Sequence, residues 1–263
     1  MEYSREQLFM ALLITFLSGV ATVIGVLSTY VAKDGNKKFL SFALGFSAGV
    51  MLFVSFFRIL DRVKHKLIVV YGEETGNWYV IAGFFIGVVF IVLFEHLVHK
   101  FSDRKLKSGE SNSPDHLRYL GYFTALAISI HNFPEGFATF IACLSDIKTG
   151  LSIAIAVAIH NIPIGIAIAV PLYFSTRKRI KAFWVTFATG MVAPLGAILG
   201  FLILKPYMSP VFFAFIMAIV AGILVVVAID ELLPVARSYG NHHIAVYGMI
   251  TGMFVMAVAL MNF

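Results

Sequence analysis

The stretch that decides the architecture runs from Tyr119 to Phe174. It reads YLGYFTALAISIHNFPEGFATFIACL (119–144), a polar turn SDIKTG (145–150), then LSIAIAVAIHNIPIGIAIAVPLYF (151–174). An apolar run of about 18 residues or more crosses the roughly 30 Å hydrocarbon core as a helix. Both halves are long enough, and Glu135 is their only formal charge. Within them His131-Asn132-Phe133-Pro134-Glu135-Gly136 and His160-Asn161-Ile162-Pro163-Ile164-Gly165 share His, Asn, Pro, Gly and a following Ala (Ala138, Ala167) at an offset of 29 residues. Two membrane helices therefore carry one repeated motif.

The rest of the 263 residues has the same character, with 60% hydrophobic and 13% charged against about 25% charged in a soluble domain. Eight spans are expected: Leu8 to Val31, Leu40 to Phe57, Trp78 to Phe94, Tyr119 to Leu144, Leu151 to Phe174, Ala182 to Leu204, Val211 to Ile229 and Ile244 to Phe263. They form one all-α transmembrane domain over 1–263. The first is longer than the apolar core of a signal peptide and follows a start that lacks a clear basic cluster, so it counts as a span. The net charge of +6 comes from short clusters between spans, which orient a chain in a bilayer and do not form a nucleic-acid surface. Lys and Arg number thirteen in the loops after spans one, three, five and seven, and seven on the opposite side. The positive-inside rule then places both termini outside. Phe101 to Leu117, with Ser, Gly, Asn and Pro at its centre, reads as a flexible cytoplasmic linker. The single cysteine, Cys143, allows neither an internal disulfide nor a cysteine metal site.

Ionisable groups inside hydrocarbon are costly and mark pathways or sites. His131 and Glu135 stand at i and i+4, on one helical face. Pro134 and Pro163 lack an N–H, which frees the carbonyls of Ile130 and Ile159 beside the histidines. Such defects persist in lipid only where protein, water or an ion satisfies them. Imidazole with a carboxylate suits Zn²⁺ and other first-row divalent ions better than Ca²⁺ or Mg²⁺. Two kinked helices offering His, Asn and Glu at mid-membrane depth thus point to a metal site.

These residues resemble the fourth- and fifth-helix signatures of the ZIP (Zrt/Irt-like) metal transporters, in particular their short bacterial ZupT-type branch. Ala48-Gly49-Val50-Met51-Leu52, Pro194-Leu195-Gly196-Ala197 and Asp230-Glu231-Leu232-Leu233-Pro234 are similar as well, so the resemblance covers nearly the whole chain. It implies eight spans with both termini outside, a homodimer in the inner membrane, and inward transport of Zn²⁺, with Fe²⁺ or Mn²⁺ as further substrates. The chain departs from the family at three places. Ile164 stands where Pro-Glu-Gly is usual, Ala193 where a Glu precedes Pro-Leu-Gly, and Arg58-Ile59-Leu60-Asp61 where a His or Glu precedes x-Leu-Pro.

Charge then limits occupancy. Glu135 alone cannot balance two divalent ions in a low-dielectric bundle, where each uncompensated charge costs several kcal/mol. One metal held by His131, Glu135 and His160, completed by Asn132, Asn161 or water, is expected. Arg58 has two readings: it pairs with Asp61 at the outer end of span two, or it reaches Glu135 and locks the site as a tethered cation. Asp230 and Glu231 read either as an exit relay or as an interfacial acidic pair, and Glu95, His96 and His99 as a cytoplasmic metal stop or interfacial groups. The expected function is alternating-access transport of a divalent metal through one mid-membrane site, with no enzymatic step. The alternative is a non-transporting paralogue with a regulatory or assembly role, its site altered by Arg58, Ile164 and Ala193.

Overall fold

The computed structural model describes residues 3–31, 37–106, 114–207, 209–239 and 242–261, and among them every regular element is helical. The helices are α1 (Arg5–Tyr30), α2 (Lys37–Tyr71), α3 (Glu73–Leu106), α4 (Pro114–Ser145), α5 (Ile147–Thr176), α6 (Arg179–Leu204), α7 (Pro210–Tyr239) and α8 (His242–Leu260). By length and composition, seven helices among the described residues can cross a membrane.

Local chemistry sets the ends. Ser4 and Gln7 form a reciprocal capping box at the start of α1. Asp146 caps α5 by accepting from the Thr149 N–H at 3.0 Å, and Ser209 caps α7 ahead of Pro210 in the first turn. Inside α4, α5 and α6 the prolines Pro134, Pro163, Pro171 and Pro194 interrupt hydrogen bonds without ending the helices.

Helix continues in two places where the sequence reading has none. Span two does not stop at Phe57: after a π-helical turn at Ser55–Leu60, α2 runs on to Tyr71. Val63 and Leu67, one turn apart, bury themselves there while Lys64, His65 and Lys66 stay exposed, so the basic cluster is the polar face of an amphipathic helix. The linker over 101–117 is likewise shorter than expected, because α3 reaches Leu106 and α4 begins at Pro114. Residues 107–113 lie outside the described residues, as do the side chains of Glu95 and His99; His96 is exposed.

Packing divides the helices into two sets. In the first, α4 lies against α6 and α5 while α1 lies against α5 and α6; in the second, α2 pairs with α8 and α3 with α7. Both sets use glycine for backbone contact. A Cβ on Gly49 of α2 would come within 2.0 Å of the Met249 carbonyl oxygen of α8, and one on Gly222 of α7 within 2.1 Å of the Phe84 oxygen of α3. The motif helices dock in parallel fashion. Asn132 of α4 donates to the Thr189 carbonyl of α6 at 3.1 Å, and Asn161 of α5 donates to the Ser18 carbonyl of α1 at 2.9 Å. The sequence repeat is thus also a repeat of contacts.

Candidate metal site

Each motif asparagine holds its helix to a neighbour through Nδ2, because a carbonyl partner accepts only from the amide nitrogen. The Oδ1 atoms of Asn132 and Asn161 are buried without a hydrogen-bond partner. The docking turns the histidines and Glu135 into the bundle, where all three are buried.

Glu135 Oε1 lies 3.0 Å from His160 Nε2, while Glu135 Oε2 accepts no hydrogen bond. The other ring nitrogen, His160 Nδ1, lies 3.0 Å from the Ala156 carbonyl, and the His160 carbonyl accepts from Ser47 Oγ of α2 at 3.0 Å. Both ring nitrogens of His160 therefore face oxygen acceptors, the Ala156 carbonyl at Nδ1 and the Glu135 carboxylate at Nε2, so a proton on Nδ1 and either a proton or a metal ion at Nε2 would satisfy both. His131 pairs across the two helix sets, with Nδ1 3.7 Å from Oε2 of Glu231 on α7. Glu231 sits in a second π-helical turn, Val227–Leu232, and its side chain is 18% exposed. Asp230 beside it is exposed, as is Asp61 on α2.

The expected residues therefore come together as two pairs, Glu135 with His160 and His131 with Glu231. Among the described residues no three His, Cys, Asp or Glu side chains gather closely enough to hold an ion in this conformation. A cavity of about 20 Å³ beside the first pair is lined by Glu135, His160, Thr139, Met51 and Val54, room for about one water-sized sphere. Sequence reasoning placed Glu231 at the end of span seven and missed its contact with His131. Its signal was a carboxylate within an apolar span.

Arg58 does not reach Glu135. Its guanidinium donates to Ser152 Oγ of α5 at 2.9 Å (Nη2) and 3.2 Å (Nε), whereas Glu135 is paired with His160. In this conformation Arg58 is therefore not a tethered cation at Glu135. The guanidinium belongs to a second cavity, of about 190 Å³, which α2 lines with Arg58, Arg62 and Lys66. Ile59 and Ile153 line both cavities and so form an apolar partition between the basic cavity and Glu135. Asp146, at the α4–α5 junction, accepts from the Thr149 hydroxyl and the Thr149 N–H, and these bonds with nearby Arg62 hold its carboxyl below the usual range. Ile164 and Ala193 are buried, and the Ala193 carbonyl lies 2.0 Å from where a Gly136 Cβ would be. Close α4–α6 contact occupies the space around Ala193.

Comparison with known proteins identifies the family. Residues 107–260 match the family described as ZIP Zinc transporter. The chain is 48% identical over 259 residues to Zinc transporter ZupT of Chlorobium limicola, covering 96% of this chain and 97% of the relative. It is 44% identical to Zinc transporter ZupT of Streptococcus mutans (98% and 99% covered) and 42% identical to that of Clostridium perfringens (99% and 98%). With repeated motif, helical bundle and near full-length identity in accord, the chain belongs to the ZIP zinc transporter family.

Proposed function

We propose that the chain is an eight-span transporter in the inner membrane, with both termini outside. It carries a divalent metal, zinc foremost and iron or manganese next, into the cytoplasm by alternating access, one ion at a time. The observation that carries this reading is the Glu135–His160 pair. His160 Nε2 and a Glu135 carboxylate oxygen lie 3.0 Å apart, a spacing that a proton or a metal cation can bridge, and both belong to a buried site with further acceptors at Glu135 Oε2, Asn132 Oδ1 and Asn161 Oδ1. Glu231 adds a second carboxylate, so Glu135 and Glu231 together balance one divalent ion, and a second would remain uncompensated.

The two helix sets supply the access cycle. Three donors, His131, Glu135 and His160, ride on α4 and α5, while Glu231 stands on α7. Movement of one set against the other brings the carboxylates together or apart. Ile59 and Ile153 close the path toward the basic cavity, and the partly exposed Glu231 lies on the other side. The donor set needs no covalent step, and Arg58 bound to Ser152 leaves the site open to a metal, which favours transport over a non-transporting role. Uptake of radioactive Zn²⁺ into proteoliposomes tests the proposal. Uptake by the native chain that disappears in Glu135→Gln is expected, and uptake equal in both would contradict it.

A further inference from the structure

The 190 Å³ cavity has a charge opposite to what a cation path calls for. Arg58, Arg62 and Lys66 recur at every fourth residue of α2, so they share one helical face, where like charges repel. Each reaches across to the α4–α5 junction: Arg58 to Ser152 at 2.9 Å, Arg62 to Asp146 at 3.3 Å and Lys66 to Ser145 at 3.0 Å. Two of these partners are neutral hydroxyls, and Asp146 is the one carboxylate among the lining residues. Among the lining residues three cationic groups therefore face one anionic group, with Asp61 of α2 a second carboxylate near Arg58. Five N–H donors on Arg62 and three on Lys66 exceed the contacts described. Lys66 is further held over the Phe213 ring, 5.0 Å from its centroid, which fixes the ammonium at the cavity wall.

We propose that this cavity binds a small multivalent oxyanion, a phosphate or a di- or tricarboxylate, between Arg62, Lys66 and Arg58. Guanidinium forks match the paired oxygens of such groups, and an ammonium adds a point charge. The Ser145 hydroxyl, which accepts from Lys66, keeps its own proton to donate. The same chemistry is present in a free solute anion and in a lipid headgroup phosphate. The cavity lies at the face that the Lys and Arg count assigns to the outside. A bound multivalent anion lowers the excess positive charge there. If the chain carries a divalent cation as proposed above, the anion removes the repulsion at its entrance. Binding of the anion itself rests only on the cavity's own groups.

The test uses the purified full chain, without metal, in nanodiscs of zwitterionic phosphatidylcholine. Inorganic phosphate and citrate are titrated against chloride at matched ionic strength, and heat of binding and thermal unfolding are read. Saturable binding of phosphate or citrate is expected, with apparent affinity reduced about tenfold or more in Arg62→Gln/Lys66→Gln and kept within about threefold in the charge-conserving Arg62→Lys/Lys66→Arg. A parallel series in phosphatidylglycerol nanodiscs separates the sources: stabilisation there alone, lost in the Gln variant, assigns the site to the headgroup phosphate. Equal response of the native chain to phosphate, citrate and chloride, with none to phosphatidylglycerol, would overturn the proposal even if the Gln variant fails to fold. Undiminished binding by a folded Gln variant would also overturn it.

Discussion

The π-helical turns of α2 and α7 make the instructive comparison. Each carries a charged residue nine places after a glycine that touches a partner helix, Arg58 after Gly49 against α8 and Glu231 after Gly222 against α3. Such turns rotate side chains out of the ordinary helical register and recur at functional sites. Here the same backbone device presents opposite charges. In α7 it brings a carboxylate to within 3.7 Å of His131; in α2 it brings a guanidinium to Ser152, beyond the Ile59–Ile153 partition. The backbone is paired and the charge is polarised. The carboxylate of the Glu231 end favours a cation and the guanidinium of the Arg58 end opposes one.

The largest effect is expected at the buried carboxylate of α4. Glu135→Gln removes the carboxylate from the buried pair and should lower Zn²⁺ affinity by about a hundredfold or more, roughly 3 kcal/mol, with the helical circular dichroism spectrum unchanged. Next comes Glu231→Gln, which neutralises the α7 turn. Loss of about ten- to thirtyfold in affinity by calorimetry is expected, whereas an unchanged affinity would show that the α7 turn takes no part in binding. Making the chain more family-like sharpens the contrast: Ile164→Glu places a carboxylate at i+4 from His160, as Glu135 is from His131. A rise in bound Zn²⁺ per chain above one is expected, and destabilisation with no added metal would show that Ile164 faces away from the site. The smallest effect concerns Asp146 at the end of the Arg58 cavity. Asp146→Ala should cost about 1 kcal/mol as a lost helix cap. Because this carboxyl is held low in the folded protein, its contribution is present above the usual carboxylate range and is lost as pH falls through the folded value. Native and variant unfolding temperatures should therefore converge in acid; a constant difference between pH 7 and pH 3 would contradict the role.

The repeat in α4 and α5 was legible because it combines rare intramembrane His, Asn and Pro at fixed spacing, and the all-helical fold because apolar runs of spanning length leave no alternative in lipid. The π turns were not legible, since they are made from residues that ordinary helices also use. The extension of α2 was hidden by its charges: Arg62, Lys64 and Lys66 suggest a loop until Val63 and Leu67 are seen to be buried. The pairing of His131 with Glu231 links helices far apart in sequence, and periodicity within a helix carries no information about such partners. The partner of Arg58 was hidden for the same reason, because Ser152 offers no charge by which a sequence could mark it.

The central claim is that one divalent ion, balanced by Glu135 and Glu231, is the occupancy this bundle supports. Equilibrium titration of the purified chain with Zn²⁺, read as metal per protein by elemental analysis after removal of free ion, tests it most directly. The expected result is one ion per native chain and none retained by Glu135→Gln. Two ions held by the native chain, both lost on Glu135→Gln, would contradict it.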